Sequence, residues 1–165
     1  MFRIHAEKPQ DSAEVEALLD LAFAPGRTAL SSYRLREGLP PEAALSLVAR
    51  DAYDTLAAAI RFWRVRVGEA GLPALLLGPV AVHPTRQGEG LGGLLIAEGL
   101  ERAAGAGWTR VALVGDAPYY GRFGFVRAPL EFPPPTNPDR VLARALAPGA
   151  WDGVAGAVRR WDDPG

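Results

Sequence analysis

The stretch Gly78–Ala106, GPVAVHPTRQGEGLGGLLIAEGLERAAGA, passes from an apolar segment through a glycine-rich turn into a helical repeat. It reads as strand, loop and helix. Gly88, Gly90 and Gly92 remove side chains at alternate positions, so the loop can take open dihedrals and bring its N–H groups close to a ligand. The helix behind it adds unsatisfied donors and about half a positive charge at its N-terminus. The combination suits a phosphate or pyrophosphate.

Upstream, Ala74–Val82 is nearly all apolar, as a central strand covered on both faces must be. Pro79 lies inside it and cannot donate to a ladder, so it demands a bulge or an unpaired position. A bulge there would open the sheet beside its neighbour, where a ligand's linear arm could make strand-like hydrogen bonds. Downstream, Gly92, Leu95, Ile96, Gly99 and Ala103 recur at helical spacing and give a narrow, small-residue face for packing on a sheet. Gly105 and Gly107 end that helix.

The remaining elements follow from the same periodicities. Phe2–His5 reads as a short strand, and Asp11 with Glu14 offers a capping pair for a helix carrying Val15, Leu18, Leu19 and Ala22. A second helix is expected over Thr28–Glu37, broken by Gly38-Leu39-Pro40-Pro41, with a strand over Ala44–Arg50. Thr55–Val67 reads as a longer strand whose end alternates polar and apolar residues, which predicts one solvated face. Gly68–Pro73 turns the chain back. Thr109–Val114 is a further buried strand, the segment YYGRFGF (119–125) holds one helical turn, and Phe125–Arg127 and Arg140–Leu146 supply the last strands around a proline-rich stretch, Pro129–Pro138. Residues 146–165 form a tail to which the sequence assigns no element. The order of elements points to one domain over residues 1–165, with a mixed sheet and helices on its faces.

Composition narrows the function. With 48% hydrophobic and 22% charged residues the chain is far from a disordered composition. A formal net charge of −1 provides no basic excess for a nucleic-acid backbone, so nucleic acid is not expected as the main partner. Cysteine is absent, which removes disulfides, thiolate metal sites and a catalytic thiol. The N-terminal residues mix acids and prolines where a leader needs a continuous apolar run, and no segment is long enough to span a bilayer, so a cytoplasmic protein without membrane attachment is expected. With two histidines and no cysteine, no metal site is expected either.

Taken together, Gln87-Gly88-Glu89-Gly90-Leu91-Gly92 after the central strand, and the aromatic segment after the next one, resemble the GNAT superfamily of acetyl-CoA-dependent N-acetyltransferases. More narrowly, LGPVAVHP, EGLERAAGAGW, LVGDAPYYGRFGF and PGAWDGVAGAVR are similar to its YhbS-like branch. The resemblance implies an α/β fold with a mixed, mostly antiparallel sheet of about seven strands, splayed at the central strands and flanked by helices. It implies acetyl-CoA as cosubstrate and an unidentified amine as acceptor. Backbone groups at Val80, Ala81 and Val82 would hold the pantetheine arm; Arg86 and the amides of Gln87, Gly88, Glu89, Gly90, Leu91, Gly92 and Gly93 would hold the pyrophosphate; Tyr119 and Phe123 would line the pocket. The family commonly places a tyrosine four residues before a Gly-Phe pair, the position of Tyr120 before Gly124-Phe125, which makes Tyr120 the candidate acid. A free phenol titrates at about 10, so at neutral pH it can give a proton and hardly take one. A homodimer is consistent with the family and leaves no mark in these residues.

The general base is less defined, because the central strand carries no carboxylate. Asp116, ending the following strand, and His83, just after the central one, are candidates by position, with a water chain as an alternative; His83 before a proline also suits a purely capping role. Two other readings stand beside the acetyltransferase. An acyl-CoA-binding regulator would keep the fold without efficient transfer. A dinucleotide protein would use Gly88-Glu89-Gly90-Leu91-Gly92-Gly93 as G-x-G-x-x-G with Asp116 as ribose partner, although Pro84 and several polar residues separate strand from glycines, unlike that motif. Arg27, Arg34 and Arg36 could meet an acidic acceptor, but on an exposed helix they read first as a solvated face.

Overall fold

The computed structural model describes residues 1–23 and 31–164. Its strands are β1 (Arg3–Ala6), β2 (Leu47–Arg50), β3 (Leu56–Val67), β4 (Leu72–Val82), β5 (Arg110–Val114), β6 (Val126–Arg127), β7 (Leu130–Glu131), β8 (Val141–Ala145) and β9 (Gly156–Arg160). The helices are α1 (Ser12–Phe23), α2 (Leu91–Gly105) and α3 (Ala117–Gly121). The strands run β1-β2-β3-β4-β5-β8-β6, with β9 pairing both β3 and β7. Among the described residues only the β4–β5 and β7–β9 pairings are parallel, so the sheet is mixed and mostly antiparallel. Among the described residues no helix is long and apolar enough to cross a membrane.

The architecture turns on β4. Its Leu75 and Leu77 join the apolar cluster beneath α2, while Ala74 and Leu76 face the opposite layer with Val65, Ala112 and Val158. At Gly78-Pro79 the ladder with β3 slips, because Phe62 faces Leu77 whereas Ile60 faces Val80. One extra residue on β4 inverts its side-chain parity. Beyond the bulge Val80 and Val82 therefore pack toward α2, and Ala81 packs toward α1 with Val15, Leu18 and Leu19. The ladder to β5 covers only Leu75–Val111 and Leu76–Ala112, so the C-terminal half of β4 leaves its neighbour and the sheet opens. Burial follows: residues 74–77 are buried, and Gly78, Pro79 and Val80 are only half-buried.

Each face is held differently. On one, Gly99 of α2 lies so close to the fully buried Phe62 that a Cβ there would stand 2.6 Å from its Cε1. The small-residue face read from the sequence is thus a close approach of helix to sheet. On the other, α1 is tied down by buried arginines. Arg50 Nη2 donates to Asp11 at 2.7 Å and to Glu14 at 2.8 Å, and Arg61 pairs with Glu7 at 2.8 Å and also with Glu16. Asp11 does not cap α1 together with Glu14; its carboxylate accepts from Lys8 N–H across a 3-10 turn, and Glu14 turns to Arg50.

Other expectations shift for tertiary reasons. The helix expected over Thr28–Glu37 lies partly outside the described residues, and its described part is a 3-10 helix, Ser31–Leu35. The polar residues closing β3 do not share one wet face: Arg64 is exposed, but α1 covers Arg61, and Arg66 lies 4.2 Å from the Trp161 ring centroid. The tail supplies β9 and the proline-rich stretch contains β7, which brings the strand number to nine among the described residues.

Candidate active site

Two cavities flank the opening beside β4, and they meet at Phe23, Val80 and Tyr120. The larger, about 650 Å³, lies between the C-terminal half of β4 and the N-terminus of α2. On its wall His83 N–H donates to Ala57 O and Ala81 sits opposite Ala59, so the peptide groups of residues 81 and 83 are spent on β3. Strand alternation turns the peptide groups of Val80 and Val82 toward the opening.

The glycine loop forms its floor. Gly88 and Gly90 have φ of 90° and 77°, a left-handed backbone that a side chain would strain. Gly90 is the N-cap of α2 and offers no side-chain hydrogen bond, while Leu94 N–H is the first to reach back, to Gly90 O. The amides of Leu91, Gly92 and Gly93 thus have no intrahelical acceptor, and the dipole adds positive potential there. His83 caps the preceding 3-10 turn, its Nδ1 accepting from Thr85 N–H, which is the capping role its position suggested.

Arg86 lines the same cavity and is fixed by Asp51, with Nη2 to Oδ2 at 2.6 Å. Asp51 itself closes the β2–β3 hairpin by accepting from Tyr53 and Thr55 N–H. The Thr55 amide, then Tyr53 and Arg86, outweigh the cost of burial and hold its carboxyl below the ordinary range. Sequence reasoning missed Asp51; Asp-x-Tyr-x-Thr between two strands is an Asx-turn pattern that could have marked it. It also missed Arg122, which lines the cavity, lies 4.9 Å from the Tyr119 ring centroid and has no carboxylate partner among the described residues. Of the expected cofactor residues, Glu89 and Phe123 stand off this cavity. Glu89 leans toward Arg86 at 3.8 Å, and Phe123 packs under Gly93, where a Cβ would meet its ring at 3.2 Å.

The smaller cavity, about 330 Å³, has Leu76, Leu77 and Val114 in its walls with Tyr33, Arg36, Asp116 and Arg140. Tyr120 separates it from the larger one. Its ring rests on Gly115, where a Cβ would stand 2.6 Å from Cε2, and makes edge contacts with Tyr119 at 5.0 Å and Phe125 at 5.9 Å. Burial above all, then Tyr119 and Asp116, push the Tyr120 phenol up to about 12, against the pull of Arg140. It is a neutral donor at any working pH. Asp116 is exposed at the cavity mouth and caps α3, its Oδ2 accepting from Tyr119 N–H at 2.9 Å. Arg36, expected on a solvated face, is 6% exposed; its guanidinium stacks 3.4 Å from the Tyr33 centroid and donates to Gly78 O.

A helix start with unpaired amides, an open strand edge and a neutral phenol between two cavities match the family resemblance. The Acetyltransferase (GNAT) domain model matches residues 3–128, and the N-acetyltransferase YhbS of Escherichia coli K12 is 32% identical over 94% of this chain and 93% of its own. The chain belongs to the GNAT acetyltransferase family. As a GNAT enzyme it is an acetyl-CoA-dependent acetyltransferase. Its fold superposes on the crystal structure of E. coli YhbS in complex with CoA with a TM-score of 0.83 and 30% identity, covering 99% of this chain and 93% of that one. A GNAT acetyltransferase from Brucella melitensis in complex with acetyl-CoA gives a TM-score of 0.70 at 34% identity, over 90% of each chain. The bulge of β4 and its short β5 ladder create the opening at which the two cavities meet.

Proposed function

We propose that this enzyme moves the acetyl group of acetyl-CoA directly to a primary amine, with no covalent enzyme intermediate, and does so in the cytoplasm. The observation that carries this reading is the meeting of the two cavities at Val80 and Tyr120, beside an unpaired strand edge. Coenzyme A occupies the larger cavity. Its pyrophosphate takes the amides from Gln87 to Gly93, with Arg86 and Arg122 at the sides, and its pantetheine arm pairs with the free peptide groups of Val80 and Val82. The acceptor enters through the smaller cavity.

The amine nitrogen attacks the thioester carbon, a C–N bond forms, and the C–S bond breaks. Backbone N–H groups of the opened strand face the developing oxyanion; such a donor contributes about 3 kcal/mol. Coenzyme A's thiol titrates near that of cysteine, about 8.5, so Tyr120 hydrogen-bonds to the leaving sulfur rather than ionising outright. Asp116 places a negative charge at the acceptor mouth, where it draws in the ammonium form and passes its proton to water. The proton lost from the attacking nitrogen goes to water and the departing thiolate, held by the Tyr120 hydrogen bond, takes one up from water, so the step balances.

Release of free thiol from acetyl-CoA, followed over a panel of amines, tests this reading. Amine-dependent thiol release with an acetylated product of matching mass is expected. Tight acetyl-CoA binding without any turnover would instead identify an acyl-CoA-binding regulator.

A further inference from the structure

Resting on that reading, we infer that Trp63 is a positioning residue for the transfer step: from outside the site, its indole N–H holds the Gly78 carbonyl so that the Val80 N–H faces the thioester oxygen. Gly78 is the second residue past the end of the β5 ladder, which stops at Leu76–Ala112, and it opens the bulge against β3. Its φ of 131° is one that few other residues adopt, and a Cβ there would meet nothing within 4 Å, so backbone conformation rather than space calls for glycine. A glycine does not hold such a conformation by itself, and Pro79 beside it has no N–H to pair. Side chains supply the anchor. Trp63 Nε1 donates to Gly78 O at 2.6 Å, and Arg36 Nη1 donates to the same oxygen at 3.2 Å.

The reach follows from the register. Trp63 stands opposite Leu76 and shares its side of the sheet, which makes Gly78 the diagonal neighbour two residues along β4, a distance an indole can span. Trp63 is buried in the cluster that holds Leu35, Val65 and Leu76, and it lines neither of the cavities at the opening. The cavity it does line, with Pro40, Pro41 and Trp161, shares no lining residue with those two. Its effect therefore passes through the backbone. The Gly78–Pro79 peptide is planar and the φ of Pro79 is fixed by its ring, so only the ψ of Pro79 separates the orientation of the Gly78 carbonyl from that of the Val80 N–H. Holding the first steers the second, and a donor aimed at a developing oxyanion works only if it is aimed beforehand.

Benzothienylalanine, which copies tryptophan with sulfur in place of the N–H, tests this when placed at position 63. Loss of one neutral hydrogen bond should leave the melting temperature within about 5 °C of wild type. Acetyl-CoA should raise that temperature as it does in wild type, because the glycine loop proposed to hold the pyrophosphate is untouched. With acetyl-CoA carrying carbon-13 at its acetyl carbonyl, infrared difference spectra should place the bound carbonyl stretch below its free value in wild type and move it back toward that value in the variant. Thiol release with the best amine of the panel should lose about tenfold in kcat while KM for acetyl-CoA stays within about twofold, since Arg36 still holds the carbonyl. Trp63→Phe, which also removes the donor, should shift the stretch in the same direction. An identical stretch in wild type and both variants overturns the inference, as does a loss of acetyl-CoA binding as large as the loss of kcat, which would leave Trp63 a purely structural role. If acetyl-CoA leaves the melting of wild type unmoved, the transferase reading fails and this inference with it; if it binds and the stretch ignores position 63, this inference alone fails.

Discussion

Tyr120 owes its chemistry to two glycines and a neighbour. Gly115 lets the ring lie flat against the chain, Gly124 turns the segment at φ 85°, and Tyr119 packs edge-on, so the phenol is desolvated and pushed up to about 12. An acid whose pKa is raised keeps its proton as pH rises. kcat/KM should therefore climb as the acceptor amine loses its proton, with no descending limb from Tyr120 below about pH 11. Tyr120→Phe should keep the shape of that profile and lower it by about 10², the low end of what a positioned proton donor contributes, because the phenol only hydrogen-bonds to a thiolate that can leave unaided. A descending limb at about pH 8 to 9 that disappears in Tyr120→Phe would contradict this role. The place of this tyrosine beside both cavities was foreshadowed by its distance to Gly124-Phe125. Arg36 was not, because its burial depends on Trp63 and Gly78, far along the chain, and nothing local separates it from a wet helical arginine.

At the scale of elements, the glycine loop and its flanking strand and helix were readable because each rests on local rules: Pro79 forces the bulge, and Gly90 takes the left-handed cap. β9 was not, since its residues show no clean alternation and become a strand by pairing with Val65, Arg66 and Val67 of β3 and with Leu130 and Glu131 of β7. Two substitutions probe how elements are held. Gly99→Ala puts a Cβ 2.6 Å from a ring carbon of Phe62, which is wholly buried and has nowhere to go, so overpacking should cost about 1 to 3 kcal/mol in urea unfolding. Asp11→Asn breaks the buried pair with Arg50 and should cost about 3 kcal/mol, the low end for such a break because Glu14 still holds the guanidinium.

The Asp11 substitution also carries a pH signature. Burial alone would raise the Asp11 carboxyl, but the Lys8 amide and Arg50 outweigh it and hold the group below its ordinary range. A carboxyl whose folded pKa is depressed contributes stability that is complete above its unfolded value, about 3.9, and is lost as pH falls through the folded one. The gap between wild type and Asp11→Asn should accordingly be full at neutral pH and narrow below about pH 4. A gap independent of pH would mean that packing, not charge, ties α1 to the sheet.

For the whole molecule, the layering places everything else. α1 and α2 cover opposite faces of β3 and β4, the bulge swaps which residues of β4 face which helix, and the short β5 ladder leaves an edge that neither helix closes. The two cavities then meet at one point from two sides, as the proposed approach of cofactor and acceptor requires. The most direct test of that claim is the melting temperature with saturating acetyl-CoA and, separately, with a reduced nicotinamide dinucleotide. At about 100 times the dissociation constant acetyl-CoA should add roughly 2.7 kcal/mol, which for a chain of this size is about 5 to 10 °C, and the dinucleotide should add nothing. No shift with acetyl-CoA, or a shift with the dinucleotide alone, would contradict the reading of the glycine loop and of the cavity built on it.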